Sequence, residues 1–179
     1  YKEIEGYEIN PVHLALDQND QYLHVTGRDH IAKFDAMNFN YIERWGEFGH
    51  SPCQLWSTAG IAIDNTGNIY VSDAGNHQIT KFDSSGNCQL GWGSYGTGNG
   101  EFNLPAGIAI DDSGNVFVAD RHNYRVQMFD SSGNFLAKWG TRGSGNGEFQ
   151  NPEAVAIDHS GDIYVGDATS RVQKFAFGN

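Results

Sequence analysis

The residues best suited to do chemistry in this chain are carboxylates, and they are spaced with unusual regularity. Asp73, Asp120 and Asp167 recur at intervals of 47 residues, and Asp17, Asp64, Asp111 and Asp158 keep the same interval. Clustered carboxylates could hold calcium or carry out acid–base catalysis. The spacing argues for a different role. A residue demanded once per copy is suited to binding backbone N–H groups in every copy, whereas a reactive group is needed only once. The turn "DNTGN" at 64–68 also lacks the alternating ligands and terminal glutamate of a calcium loop. Cys53 and Cys88 are the only cysteines and neither belongs to a Cys-x-x-Cys pair, so no structural zinc site is expected. Their redox state is left open. The seven histidines are scattered with no close pair.

The basic and amide residues are distributed differently. Arg28, Arg121, Arg125 and Arg171 fall in or beside loops, as do His30, Asn76, His77, His122, Asn123 and Tyr124, and Arg142 lies in a longer connecting segment. Guanidinium forks, amides and an aromatic ring together suit a polar or anionic partner. Arg125 and Arg171 recur in the repeat and can equally be structural. Glu153 is the only charged residue among the positions that follow the proline site at the head of each copy, the others being Val12, Ala59 and Ala106.

The elements that position these residues follow from the repeat, which takes precedence over any single motif. "AGIAIDNTGNIYVSD" at 59–73, "AGIAIDDSGNVFVAD" at 106–120 and "EAVAIDHSGDIYVGD" at 153–167 are near-copies, and "VHLALDQNDQYLHVTG" at 12–27 is a degenerate first copy with one extra turn residue. Each copy contains two short β-rich runs joined by a glycine turn, then a third run such as "RVQMFD" and a fourth such as "FLAKWG". In the third run Val126 and Met128 are expected inward and their neighbours outward. Trp45, Trp92 and Trp139 recur in the fourth run and are expected to pack between units, with Phe34, Phe82, Phe129 and Phe175 as unit core. Four antiparallel strands per 47 residues is the size of a propeller blade. The fold class is therefore all-β, a propeller of four-stranded blades with repeats at about 12–58, 59–105, 106–152 and 153–179 in one domain.

The stretch "GNGEFNLPAGIAIDDSGNVFVADRHNYRVQMFDSSGNFLAKWG" at 98–140 resembles a near-consensus NHL repeat, and "NHQI" at 76–79 sits where the triplet that names the family falls. The resemblance covers essentially the whole chain. It implies a β-propeller, six-bladed in most members, so four copies either close as a smaller ring or form part of a larger one. Residues 1–6, which resemble the outer strand at 41–46, are expected to complete the last blade if the ring closes on itself. A second copy of the chain is the alternative means of completion. The start at Tyr1 reads as a processed product, an excised domain or a partial chain.

The formal charge is −11, with 22 acidic against 11 basic residues, a field that repels nucleic acid and anionic membranes. No apolar stretch suggests a membrane span or a leader. The repeated residues are expected to build the body and the variable loops to carry function. The first expectation is a non-catalytic scaffold that binds a protein or other polar or anionic partner on its loop face, without a cofactor, through Arg28, His30, Asn76, His77, Arg121, His122, Tyr124, Arg142 and Glu153. The alternatives come from relatives of the repeat. A metal-dependent lyase would need channel histidines where Val12, Ala59, Ala106 and Glu153 stand, and a lactonase-like enzyme would need a fuller acid and amide set. Single-stranded RNA binding on the same face is disfavoured, because five arginines there face an excess of carboxylates. The acidic, lysine-poor composition weakly favours a secreted or cell-surface location.

Overall fold

The structure is a computed structural model that describes residues 10–176. Its strands form successive antiparallel sheets, each sequence repeat giving one sheet. Blade 1 comprises β1 (His13–Leu16), β2 (Tyr22–Thr26), β3 (Ile31–Asp35) and β4 (Tyr41–Trp45). Blade 2 comprises β5 (Thr58–Ile63), β6 (Ile69–Asp73), β7 (Gln78–Phe82) and β8 (Cys88–Trp92). Blade 3 comprises β9 (Pro105–Ile110), β10 (Val116–Asp120), β11 (Arg125–Phe129) and β12 (Phe135–Trp139). A two-stranded parallel ladder of β13 (Thr141–Arg142) and β14 (Glu148–Phe149) follows in the connector. Blade 4 then has β15 (Pro152–Ile157), β16 (Ile163–Asp167) and β17 (Arg171–Phe175). The expected outer strand from residues 1–6 lies outside the described residues.

The aspartates at 47-residue spacing explain why each sheet turns where it does. Asp64 Oδ1 accepts from the N–H groups of Thr66 and Asn68, both at 2.9 Å, and Asp111, Asp130 and Asp158 hold their turns in the same way. The fourth turn residue needs a left-handed backbone, which glycine supplies at φ 84° for Gly67 and 83° for Gly114. The carboxylates are therefore turn braces. Hydrogen bonds from Asn87 hold Asp83 below the usual carboxylate range, and those from Asn134 do the same for Asp130.

Three cores lie between blades, and a smaller one of Val25, Ala32 and Phe34 lies within blade 1. Ile31 of blade 1 packs with Ile61, Ile69, Val71 and Phe82 of blade 2. Tyr70 and Ile79 of blade 2 pack with Ile108, Val116, Val118 and Phe129 of blade 3. Phe117 and Val126 of blade 3 pack with Ile163 and Val165 of blade 4. Trp45, Trp92 and Trp139 line these three junctions, as their recurrence predicts. The connectors anchor through one buried side chain each, Leu55, Phe102 and Phe149. Burying such a side chain contributes about 2 to 3 kcal/mol.

One sequence expectation needs correction. Strand β11 does not alternate inward and outward, because Arg125, Gln127 and Phe129 are buried along with Val126. Both faces of an inner blade are covered by neighbours, so polar residues there face protein rather than water.

Candidate functional site

The β2–β3-type loops and the connectors emerge at one end of the sheets, and all the candidate site residues lie there. Inner strands β5, β9 and β15 each carry a bulge at the start, and the residues it displaces are Ala59, Ala106 and Glu153. A bulge re-aims a side chain. In blade 4 it presents Glu153 to Arg121 of blade 3, Oε1 to Nη2 at 3.1 Å, across the junction of the two blades.

Several predicted site residues are absorbed by structure. Asn76 Nδ2 donates to Asp73 Oδ2 at 2.7 Å and to the Gly49 carbonyl at 2.8 Å, while its Oδ1 accepts from His50 Nδ1 at 2.8 Å. His77 adopts a left-handed backbone, packs edge-on against Tyr95 and accepts at Nδ1 from the Leu104 N–H at 3.1 Å. Burial lowers its pKa, which suits that neutral acceptor. His30 is buried and donates from Nδ1 to Asp29 at 2.8 Å, beside a cavity of about 370 Å³ also lined by Arg44, Glu47 and Phe48. His122 is exposed and is placed by its N–H, which donates to the Asn103 carbonyl at 3.0 Å.

The five loop-side arginines divide sharply. Arg125 is buried and fully used. Its Nε donates to Asp120 Oδ2 at 2.7 Å, and its terminal nitrogens donate to the carbonyls of Thr97, Gly98 and Glu101. Arg171 repeats this on the carbonyls of Ser144, Gly145 and Glu148, beside Asp167 at 3.6 Å. Burial pushes the Asp167 carboxyl up, but hydrogen bonds from Gln150 and Thr169 and the Arg171 charge outweigh it and hold the pKa low. Arg121 is engaged by Glu153. Arg28 and Arg142 are exposed, and their side chains make no hydrogen bond or ion pair among the described residues.

Arg142 is the better placed of the two. Its guanidinium lies over the Tyr124 ring at 5.3 Å, at a cavity of about 420 Å³ whose lining is completed by Gly143, Gln150 and Asn151. Tyr124 is held at φ 57° by a short 3-10 turn over Arg121–Asn123, and Asn151 at φ 112°. Strained backbone of this kind, outside glycine, costs of order 1–3 kcal/mol. Arg142 and Tyr124 are thus brought together, Arg121 and Glu153 form a second pair nearby, and Arg28, His30, Asn76 and His77 lie at other junctions. The sequence reading missed Gln150 and Asn151, which differ from Asn103 and Leu104 at the same place in the previous copy. Among the described residues no three of His, Cys, Asp and Glu gather as a metal site would require. Among the described residues no helix is long and apolar enough to cross a membrane.

No curated protein sequence matches the chain. Solved structures share its fold, three of them as follows. One is a protein of unknown function from Bacteroides thetaiotaomicron, with 17% identity and TM-score 0.73, covering 91% of this chain and 46% of that one. Another is hydrazine synthase of Kuenenia stuttgartiensis, with 15% identity and TM-score 0.67, covering 97% and 52%. A third is virginiamycin B lyase from Staphylococcus aureus, with 10% identity and TM-score 0.66, covering 96% and 57%. The chain spans about half the length of these structures, and identities so low speak to the fold alone. The sequence model of the NHL repeat matches residues 56–82 and 102–129, within blades 2 and 3. Blades 2 and 3 thus match the NHL repeat, in a chain of antiparallel sheets like those of β-propeller blades.

Proposed function

We propose that this protein is a non-catalytic binding module whose loop face docks an acidic segment of a partner protein, with Arg142 and Tyr124 as the contact centre. The observation that carries this reading is the division of the arginines. Three of the five are used to hold connectors or to pair with Glu153, while Arg142 is left without a counter-charge at a polar cavity. An unpaired guanidinium stacked on an aromatic ring presents its fork edge outward, the arrangement suited to bidentate carboxylate recognition. Gln150 and Asn151 offer amides beside it for a peptide backbone.

The test uses a glutamate-rich peptide and a single-stranded RNA homopolymer as parallel probes, measured by calorimetry at low and physiological salt. The expected result is peptide binding that Arg142→Ala weakens at least about 10-fold, as loss of a charge-assisted hydrogen bond implies, with the melting temperature unchanged. Arg121→Ala is expected to have a smaller effect, because its charge is already met by Glu153. Peptide binding indifferent to Arg142, or RNA binding in its place, overturns the proposal. A secreted or cell-surface location is part of the same reading. It is supported by the Cys53–Cys88 disulfide, a bond that persists in oxidising compartments.

A further inference from the structure

The three connectors between blades build the same pedestal, and only the side chain standing on it changes. Phe48, Tyr95 and Arg142 lie 47 residues apart, one on each connector. The backbone of each is tied by a parallel bridge to the anchor of its connector, Leu55, Phe102 or Phe149, which is completely buried. The segment beneath is braced alike. The side chains of Gln54, Glu101 and Glu148 accept from the N–H groups of Ser51, Gly98 and Gly145 at 3.1, 2.8 and 2.8 Å. Each connector then enters the next inner strand through a left-handed residue, Ser57 at φ 66°, Leu104 at 54° and Asn151 at 112°. Backbone fixed in this way needs little further ordering when a ligand binds.

The chemistry presented differs from junction to junction. Between blades 3 and 4 the pedestal carries Arg142, stacked on Tyr124 beside the Gln150 and Asn151 amides. Between blades 2 and 3 it carries Tyr95, which is 70% exposed and has His77 against its edge at 5.0 Å. Between blades 1 and 2 it carries Phe48, 56% exposed, with His50 against its edge at 6.0 Å. Both rings are bare on connectors whose anchors are fully buried, so their exposure belongs to the position and not to a loose loop. Each pedestal also stands between two blades that the chain itself supplies.

We infer that the partner segment proposed above runs across all three pedestals, with an acidic side chain at Arg142, an apolar one on Tyr95 and another on Phe48. This inference rests on the loop-face reading and adds the composition and register of the segment. Packed sheets stand about 10 Å apart, a distance that an extended chain covers in about three residues. The segment therefore carries an acidic residue with aromatic or aliphatic residues about three and six positions away. The unpaired guanidinium favours a peptide over a neutral glycan, which would leave it without a counter-charge. The two amides beside it suit a peptide main chain.

Calorimetry at physiological salt with three synthetic probes tests the inference. One is a peptide of two glutamates followed by serines. The second is the same peptide with tryptophans three and six residues beyond the glutamates, made in both chain directions. The third is a neutral β-linked glucan hexamer. The tryptophans should tighten binding at least about 10-fold in one chain direction, as two added ring contacts imply. Tyr95→Ser and Phe48→Ser, at exposed sites that leave the fold intact by circular dichroism, should each remove part of that gain and leave the serine peptide unaffected. Arg142→Ala should weaken both peptides alike. Tryptophans that add nothing, a gain that survives both serine variants or a one-residue shift of the tryptophans, or glucan binding that these variants abolish overturns the inference and leaves the acidic contact at Arg142 standing. Peptide affinity indifferent to Arg142→Ala overturns the loop-face reading itself, and with it the acidic end of the pattern.

Discussion

In blade 3 the incoming connector 93–104 is drawn onto the sheet by Arg125, which spends its guanidinium on Asp120 and three connector carbonyls, while Gln127 adds bonds to Asp120 at 3.0 Å and to the Glu101 carbonyl at 2.8 Å. In blade 2 the equivalent connector 46–57 meets Gln78, whose Nε2 donates to the Gln54 carbonyl at 3.4 Å and to Thr80 Oγ1 at 3.5 Å, and Thr80 stands where Gln127 does. The asparagine of the loop is shared: Asn76 and Asn123 each bridge the buried aspartate to a connector glycine carbonyl at 2.8 Å. Blade 2 has a covalent tie that blade 3 lacks, because Cys53 of its connector is bonded to Cys88 of β8. The difference teaches that the same fastening is achieved once by a buried ion pair and once by a disulfide with neutral amides. The aspartate registers the change. Burial pushes Asp73 up to about 6 against the opposing bonds from the Trp56 and Asn76 N–H groups, for want of a cation beside it.

The largest expected effect comes from making blade 3 imitate blade 2. Arg125→Gln leaves Asp120 buried without its charge partner and frees three connector carbonyls, at a cost of about 3 to 5 kcal/mol. The loss should appear as a fall in melting temperature of roughly 10 °C. A cost below about 1 kcal/mol would break the comparison, since it would mean that a glutamine fastens the connector as well as an arginine does.

Removing the covalent tie from blade 2 ranks next. The disulfide closes 35 residues of sequence, and loss of such a constraint costs about 4 kcal/mol in the chain-entropy account. The double variant Cys53→Ser with Cys88→Ser should therefore melt several degrees lower than the parent. Adding Gln78→Arg to it should recover part of the loss, whereas the same arginine in the disulfide-bonded protein should contribute less. Additivity of the two changes, measured as a double-mutant cycle, would show that bond and arginine do not fasten the same segment.

The legible and illegible parts of the molecule divide along the same line. The 47-residue spacing of Asp64, Asp111 and Asp158 revealed the turns, and the recurrence of Trp45, Trp92 and Trp139 revealed the junctions, because each copy solves the same local problem. Asn76 and His77 read as binding residues because a loop position beside Gly and Asn is ordinarily solvated, yet here a connector folds back over it. The pairing of Asp120 with Arg125 had a signal in its echo at Asp167 and Arg171 across the same hairpin, and a cross-strand ion pair could have been read from it. Cys53 and Cys88 carried none, since they lie 35 residues apart and occur in one copy only. The cavity under Arg142 was half visible: Arg142 and Tyr124 stood out by type, while Gln150 and Asn151 matter only because the connector returns beside them.

The smallest expected effect is a change of slope with pH, and its sign distinguishes the two fastenings. Asp73 has a folded pKa raised above its unfolded value, so the folded protein binds a proton more readily than the unfolded chain between pH 4 and 6. Stability from this group is thus full below about pH 4 and declines as pH rises to 6, by at most about 3 kcal/mol. His24 works in the opposite direction, and so does His77, whose pKa burial also lowers. His24 is buried at the position of Tyr70 and Tyr164, with both ring nitrogens unpartnered, and burial, aided by the Lys33 charge, lowers its pKa to about 4. The unfolded chain therefore takes up that proton first as pH falls from 6.5, and stability is lost toward acid. The two slopes oppose each other across the same window in the parent protein. Replacing His24→Tyr removes its share of the second and gives the new hydroxyl the chance to donate to Asp17, as Tyr70 donates to Asp64 at 3.2 Å. In that background, denaturant titrations from pH 4 to 6.5 should show stability falling with rising pH, and Gln78→Arg should flatten the fall by supplying blade 2 with the cation that blade 3 already has. A slope that survives Gln78→Arg unchanged would place its origin in a group other than Asp73, and the contrast between the two blades would then rest on the disulfide alone.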